Sequence, residues 1–253
     1  MLQMKSMRSA LMLAVLLAPL STLSAQPLPS AEAIIAKHVS AVGGKDALSK
    51  ITSMKQTASM EMASMGMTAD AEVMMGAPNR MSTKVTFPGI GEIVTGTDGQ
   101  VAWSMNPMQG PRVLADKELA QTLEQADFYG NLLFEADRFS SIANEGIVDF
   151  AGEKAYKLKM VRKSSGNESW QYFSVASGLL IGSESSTTTE MGAIQSSTII
   201  REYKDFGGIK LPTRSEISAG PQTMVMTVKD VQLNAAGADS FAIPAAIQPL
   251  IKK

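Results

Sequence analysis

The stretch from residue 54 to residue 75 reads MKQTASMEMASMGMTADAEVMM, and its side-chain pattern decides the class of fold. Apolar residues alternate with polar ones on both sides of a short break that ends at Gly66. Because successive side chains of a β-strand point to opposite faces, this period of two predicts a hairpin with one apolar and one solvated face. The chain is therefore expected to build an antiparallel sheet whose apolar face must be buried against another layer.

The rest of the chain repeats this strand pattern, with two helical interruptions. A helix is predicted over residues 31–42, with a short turn of helix at 46–51. One or two helices are predicted over residues 116–135, with an interruption near Phe128-Tyr129-Gly130. The links between strands are short and rich in turn residues, so the strands are expected to form one continuous antiparallel meander. Strands are predicted at 80–87, 92–97, 100–104, 147–150, 154–162, 168–175, 179–190, 194–205, 210–218 and 223–233.

The first 25 residues have the composition of a removable secretory signal. Lys5 and Arg8 precede an apolar run over residues 9–23, and Ala25 suits the position before the cut. A membrane anchor is the alternative, but the run is shorter than the roughly 20 residues that span a bilayer. We expect a single mature domain over residues 26–253 in the periplasm, with its apolar tail 241–251 packed on the body.

The amino-acid composition excludes several classes of function and of chemical site. The chain has no cysteine, so neither a disulfide nor an acylated N-terminal cysteine is possible. Its 23 basic and 24 acidic residues give no excess positive charge, and nucleic-acid binding is not expected. With one histidine, His38, most metal sites and nucleophilic triads are excluded. We therefore expect no catalysis, no metal and no cofactor, and a structural role for His38.

Methionine is abundant, with 18 residues in the chain. Met60, Met62, Met65 and Met67 could bind Cu(I) through their soft thioethers. Met60 and Met62 also fall on the apolar face of the predicted hairpin, where flexible methionine fills irregular space. The second interpretation is preferred, and it predicts a plastic apolar surface suited to hydrophobic ligands.

A basic cluster lies on one predicted strand and its exit, at Lys154, Lys157, Lys159, Arg162 and Lys163. Such a cluster is most often a solvated sheet face. The functional alternative is a docking patch for an acidic partner or anionic lipid headgroups, for which Lys157, Lys159 and Arg162 are the candidates.

Several short motifs occur in a characteristic order. They are Thr97-Asp98-Gly99-Gln100-Val101-Ala102-Trp103, Trp170-Gln171-Tyr172-Phe173, Ser177-Gly178-Leu179-Leu180, and the segment from Tyr203 to Pro212, YKDFGGIKLP. An N-terminal helix that ends at Gly43-Gly44 precedes them. In this order the chain resembles LolA/LolB-like periplasmic proteins, the outer-membrane lipoprotein-sorting group. It departs from their pattern at Ser174-Val175-Ala176-Ser177, where that group usually has an acidic residue and a threonine.

The resemblance implies a mainly β (α+β) fold, a curved antiparallel sheet or unclosed β-barrel with helices covering its concave face. It also implies an activity without chemistry, which is to hold lipid, an acyl chain or a lipidated protein between sheet and helices. The alternative is a structural or accessory module of a bacterial envelope complex, with the sheet filled by its own side chains and an envelope protein as partner.

On this interpretation the segment 116–135 is a lid over the apolar face of the sheet. The expected cavity is lined by nine residues from the sheet and the lid. They are Met60, Met62, Met75, Val85, Phe87, Trp103, Leu119, Leu123 and Leu133.

Overall fold

A computed structural model describes residues 27–189 and 192–251 of the protein. The predicted signal over residues 1–25 lies outside the described residues. Thirteen strands form one antiparallel sheet. They are β1 (Ser53–Met62), β2 (Met67–Gly76), β3 (Arg80–Phe87), β4 (Gly91–Thr97), β5 (Ala102–Asn106), β6 (Gly110–Leu114), β7 (Phe139–Phe150), β8 (Glu153–Arg162), β9 (Glu168–Ser174), β10 (Leu180–Thr189), β11 (Gly192–Phe206), β12 (Ile209–Ala219) and β13 (Gln222–Leu233).

Within the described residues four α-helices accompany the sheet: α1 (Ala31–Ala41), α2 (Lys45–Leu48), α3 (Asp116–Ala126) and α4 (Phe128–Leu132). The hydroxyl of Ser30 accepts the amide N–H of Ala33 at 3.2 Å and so caps α1. The carboxylate of Asp127 accepts the N–H of Gly130 in the same way at the start of α4. Both predicted helical regions are therefore confirmed, the second as two helices.

Each strand of the sheet pairs with strands that are its neighbours in the chain, except that β1 pairs with β13. This pairing joins a first arm, β1 to β6, to a second arm, β7 to β13. Strands β6 and β7 are the two edges, so the sheet is unclosed along the described strands. The predicted unclosed antiparallel sheet is confirmed. Strand β6 was not predicted, and the strand predicted at 147–150 was placed too short, since β7 begins at Phe139.

One face of the sheet, called here the helix-covered face, holds two hydrophobic clusters. The first cluster lies under α2, α4 and the end of α1; its buried members include Leu48, Phe128 and Leu133 from the helical side and Ala58 and Val228 from the sheet. The second cluster lies under α1 over the second arm; its members are Ala31, Ile34, Phe139, Leu158, Met160 and Phe173.

The C-terminal tail packs back on the body, as predicted. Phe241 and Ile247 are both buried. The guanidinium of Arg80 lies 5.0 Å from the centre of the Phe241 ring, and a Cβ atom at Gly76 would lie 2.8 Å from that ring. None of the helices within the described residues combines the length and apolarity that crossing a membrane requires.

Candidate functional site

A pocket of about 470 Å³ opens between α1 and the segment that follows α4. We call it the seam pocket. Its apolar lining residues are Ile35, Val39, Leu133, Phe134 and Ile142. Val39 and Leu133 pack in the first cluster, whereas Ile35, Phe134 and Ile142 pack against the second. The seam pocket therefore lies on the boundary between the two clusters.

Polar groups surround the apolar lining of the seam pocket. Glu32, Ser40 and Lys45 border it from the α1 and α2 side, and Glu135 borders it from the other side. An apolar interior with a polar border is suited to amphiphilic molecules, because it can bury a hydrocarbon and leave a polar end in water.

Helix α1, which forms one wall of the seam pocket, is anchored to the β9–β10 turn. The ammonium of Lys37 donates to the carbonyl oxygen of Val175 at 2.6 Å. Gly178 in that turn has φ of +77° and approaches the helix so closely that a Cβ atom would lie 2.9 Å from Lys37 Cγ. The turn between Ser174 and Leu179 thus needs glycine at this position, both for its backbone angle and for its contact with α1.

His38 lies on the buried side of α1, edge-on to the rings of Phe134 and Phe173. Its Nδ1 is 3.2 Å from the carbonyl oxygen of Gly178 and 3.2 Å from the amide nitrogen of Leu180. The ring can donate to the first or accept from the second, according to its tautomer. Burial lowers the pKa of His38 to about 4, and the Gly178 carbonyl opposes that shift. The structural role predicted for His38 agrees with this environment.

The buried histidine makes the stability of the protein depend on pH. Unfolded His38 binds a proton below about pH 6.5, whereas the folded protein keeps it neutral down to about pH 4. Between pH 6.5 and about pH 4 the unfolded state therefore binds one more proton than the folded state. As the pH is lowered through this window, the free energy of unfolding should fall by up to about 1.4 kcal/mol per pH unit. Urea unfolding should show a shallower pH dependence for His38→Gln than for the unmodified protein. Equal slopes in the two proteins would contradict this assignment.

A polar network ties α3 and α4 to the hairpin between β8 and β9. The Asp127 carboxylate lies 3.3 Å from Arg162 Nη1 and 3.6 Å from Arg138 Nε. Arg162 also donates to the side-chain oxygen of Asn131. At the other end of α3, Arg112 donates to both oxygens of Glu118, at 2.6 and 2.8 Å, which raises the pKa of Arg112 and lowers that of Glu118. Polar contacts thus hold the helical cover at both ends.

The structure brings four of the nine predicted cavity residues together in the first cluster: Met60, Met75, Val85 and Leu133. Met62 and Phe87 are half-buried on the sheet, and Leu119 is half-buried on α3. Leu123 lies outside this cluster and lines a separate pocket of about 640 Å³, together with Arg138 and Arg162.

Trp103 is separated from the other predicted cavity residues. Its strand neighbour Ala102 lies opposite Thr97, and successive cross-strand pairs connect Thr97 through Met81 to Met75 and Met54. Because directly opposed residues share a face, Ala102 lies on the helix-covered face with Met75 and Met54. Trp103 therefore projects from the outer face, where a Cβ atom at Gly96 would lie 2.8 Å from its ring. It is almost fully buried there.

The three predicted docking residues also divide between the two faces. Lys157 and Lys159 project from the outer face, and their ammonium groups lie 5.4 and 5.6 Å from the centre of the Trp170 ring. Each pairs with a carboxylate, Glu145 at 3.4 Å and Glu168 at 2.7 Å. Arg162 belongs to the network with Asp127 on the helix-covered face.

Ile35 and Val39 are four residues apart in the helix predicted over residues 31–42 and form an apolar stripe there, which the sequence analysis did not assign to a site. Phe134 and Ile142 were not assigned either. The stripe is the one signal that could have pointed to the seam pocket. Among residues 27–189 and 192–251, no group of three or more His, Asp or Glu side chains is placed to hold a metal ion.

Neither a family model nor a curated protein matches the chain. Solved structures do match. A LolA superfamily protein from Nitrosomonas europaea superposes with a TM-score of 0.58 at 12% identity, over 85% of this chain and 99% of that one. A DUF1329 family protein from Desulfovibrio piger gives a TM-score of 0.56 at 11% identity, over 83% and 95% of the two chains. A domain described as an outer membrane lipoprotein-sorting protein, from Vibrio parahaemolyticus, gives 0.50 at 11% identity, over 73% and 86%.

These similarities at low identity establish a shared fold. The protein has the LolA-like fold, an unclosed antiparallel sheet with short helices over one face. The resemblance indicated by the sequence motifs is confirmed at the level of the fold.

Proposed function

We propose that the protein is a periplasmic binding or carrier protein for lipid, an acyl chain or a lipidated protein, and that it performs no catalysis. The observation that carries the proposal is the seam pocket, which is lined by residues of both hydrophobic clusters. Its volume of about 470 Å³ is in the range of small-molecule sites.

An acyl chain in the seam pocket would gain free energy from each methylene removed from water, about 0.8 kcal/mol. The chain would extend between the clusters by displacing contacts of α1 and of the segment after α4. Those contacts are made by half-buried residues such as Ile35 and Phe134, so their loss is small compared with opening either cluster.

The location in the periplasm is supported by the signal-like composition of residues 1–25. The fold agrees with it, because a LolA superfamily protein and a lipoprotein-sorting domain are among the similar structures.

Replacing Ile142 with aspartate should weaken binding of a fluorescent fatty-acid probe by more than about tenfold, because a carboxylate would enter the apolar lining. Ile142 is half-buried at the edge strand, so circular dichroism should show a folded sheet. The matched control is Ile147→Asp on the same strand, where the isoleucine is exposed and lies outside the seam pocket. Unchanged probe binding by folded Ile142→Asp would argue for the accessory-module alternative.

A further inference from the structure

The helix-covered face becomes polar beyond the second cluster. Met160 of β8 lies opposite Ser169 of β9, which lies opposite Ser185 of β10. Two residues along β9, Gln171 lies opposite Ser183. Directly opposed residues of neighbouring antiparallel strands share a face, so these side chains form a polar strip that continues from the second cluster across β9 and β10.

Helix α3 stands across this strip, and a pocket of about 480 Å³ lies between them. We call it the amide pocket. Its lining is dominated by neutral amide and hydroxyl side chains, among them Gln121, Gln125, Asn131, Asn167, Ser169 and Ser185. Such a concentration of neutral polar groups is the opposite of the apolar lining of the seam pocket.

The charged groups of the amide pocket are engaged with neighbouring side chains. Arg162 pairs with Asp127 at 3.3 Å, and Glu168 pairs with Lys159 at 2.7 Å. Glu124 accepts from the hydroxyl of Ser164. The side-chain amides of Gln121 and Gln125, in contrast, make no hydrogen bond with any described residue. Asn131 bonds to Arg162 and to backbone carbonyls of α3, and Asn167 donates to Glu124, so these amides are engaged as well. The side chains of Gln121 and Gln125 are therefore the neutral donors and acceptors left for a ligand.

We propose that the amide pocket binds a neutral, polyhydroxylated headgroup, the sugar of a glycolipid. The proposal rests on the proposed function, since the acyl chain of the same molecule would occupy the apolar region. A sugar hydroxyl both donates and accepts, and amides and hydroxyls offer the same two functions in return. An anionic headgroup would meet Glu124 and Glu168 in the same pocket, and the cation of that lining, Arg162, is already paired with Asp127.

The amide pocket and the seam pocket share a lining segment, residues 131–133, so that one amphiphile can reach both. Asn131 in α4 lines the amide pocket, and Leu133, directly after α4, lines the seam pocket. On the sheet, Gln171 of the polar strip and Phe173 of the second cluster are two residues apart on one strand and share a face. Neither of these two residues lines the amide pocket or the seam pocket, but they lie only about 7 Å apart. The face of the sheet beside the pockets therefore changes from polar to apolar over the length of one headgroup.

The test compares amphiphiles of equal chain length as competitors for the fluorescent fatty-acid probe. Dodecyl maltoside, used below its critical micelle concentration, should displace the probe with an affinity at least tenfold higher than that of dodecanoate or dodecylphosphocholine. Maltose without a chain should not displace it. In the double variant Gln121→Leu and Gln125→Leu, the affinity for dodecyl maltoside should fall about tenfold, with dodecanoate within about twofold of its original affinity. Leucine keeps the side-chain size and helix propensity of glutamine.

The control variant is Gln100→Leu, which replaces an exposed glutamine in the turn between β4 and β5. It should behave like the unmodified protein toward all three amphiphiles. If dodecanoate binds and dodecyl maltoside binds no more tightly, the headgroup proposal is overturned and the carrier function stands. Binding of maltose alone with the affinity of dodecyl maltoside would also overturn it, in favour of a free-sugar site. If no amphiphile displaces the probe, the proposed function itself fails.

Discussion

Replacing Leu133 with aspartate is expected to lower the free energy of unfolding by about 4 kcal/mol. Leu133 is buried in the first cluster and also forms part of the lining of the seam pocket. The substitution removes the apolar contacts of a leucine and places a carboxylate among hydrophobic side chains without a partner. Urea unfolding followed by circular dichroism measures the change.

Leu123→Asp is the matched control, because Leu123 is half-buried on α3 beside Arg138 and Arg162. Its cost should be under about 1 kcal/mol. A second variant, Leu133→Met, keeps the apolar volume and should cost less than about 1.5 kcal/mol. Equal destabilisation by Leu133→Asp and Leu123→Asp would contradict the assignment of Leu133 to the packed cluster.

Asp127→Ala should be the most damaging change in the polar network, with a loss of about 3 kcal/mol. The Asp127 carboxylate forms ion pairs with Arg162 and Arg138 and accepts a hydrogen bond from the N–H of Gly130. Its side chain is 17% exposed and that of Arg162 is 18% exposed, so the arginine left behind is poorly solvated. Thermal or urea unfolding would record the effect, and amide exchange should rise in α3 and α4.

Asp137→Ala tests whether this effect is specific to Asp127. The Asp137 carboxylate is also near Arg138, at 3.9 Å from Nε, but its side chain is 75% exposed. An exposed pair of this kind contributes little, so the variant should lie within about 0.5 kcal/mol of the unmodified protein. A loss as large as that of Asp127→Ala would show that the network is not held by Asp127.

The hairpin of β1 and β2 could be predicted almost to the residue, because polar and apolar side chains alternate along most of both strands, with Gln56 and Met74 as the exceptions. The unpredicted strands lack that signal for identifiable reasons. Strand β6 has five residues and contains Pro111, which is tolerated because β6 is an edge. The first part of β7 has register irregularities between Phe139 and Ser141 and between Asn144 and Ile147, which disturb the period of two.

The candidate site was less accessible from the sequence than the sheet. The seam pocket joins α1 to Phe134 and Ile142, and only the tertiary structure brings these separate segments together. The neutral lining of the amide pocket depends on the pairing of β8, β9 and β10, which sets Ser169 and Ser185 side by side. Trp103 shows the converse, because it was predicted to line the cavity although strand register places it on the outer face.

The most direct test of the central claim is organic extraction of the protein, purified from the periplasm without detergent, followed by mass spectrometry. If the protein holds lipid between its helices and its sheet, the extract should contain acyl-chain lipid in near-stoichiometric amount. The Ile142→Asp variant, prepared in parallel, should retain much less. An extract free of lipid, from a folded protein that also fails to bind the fatty-acid probe, would contradict the carrier function and favour a structural module of an envelope complex.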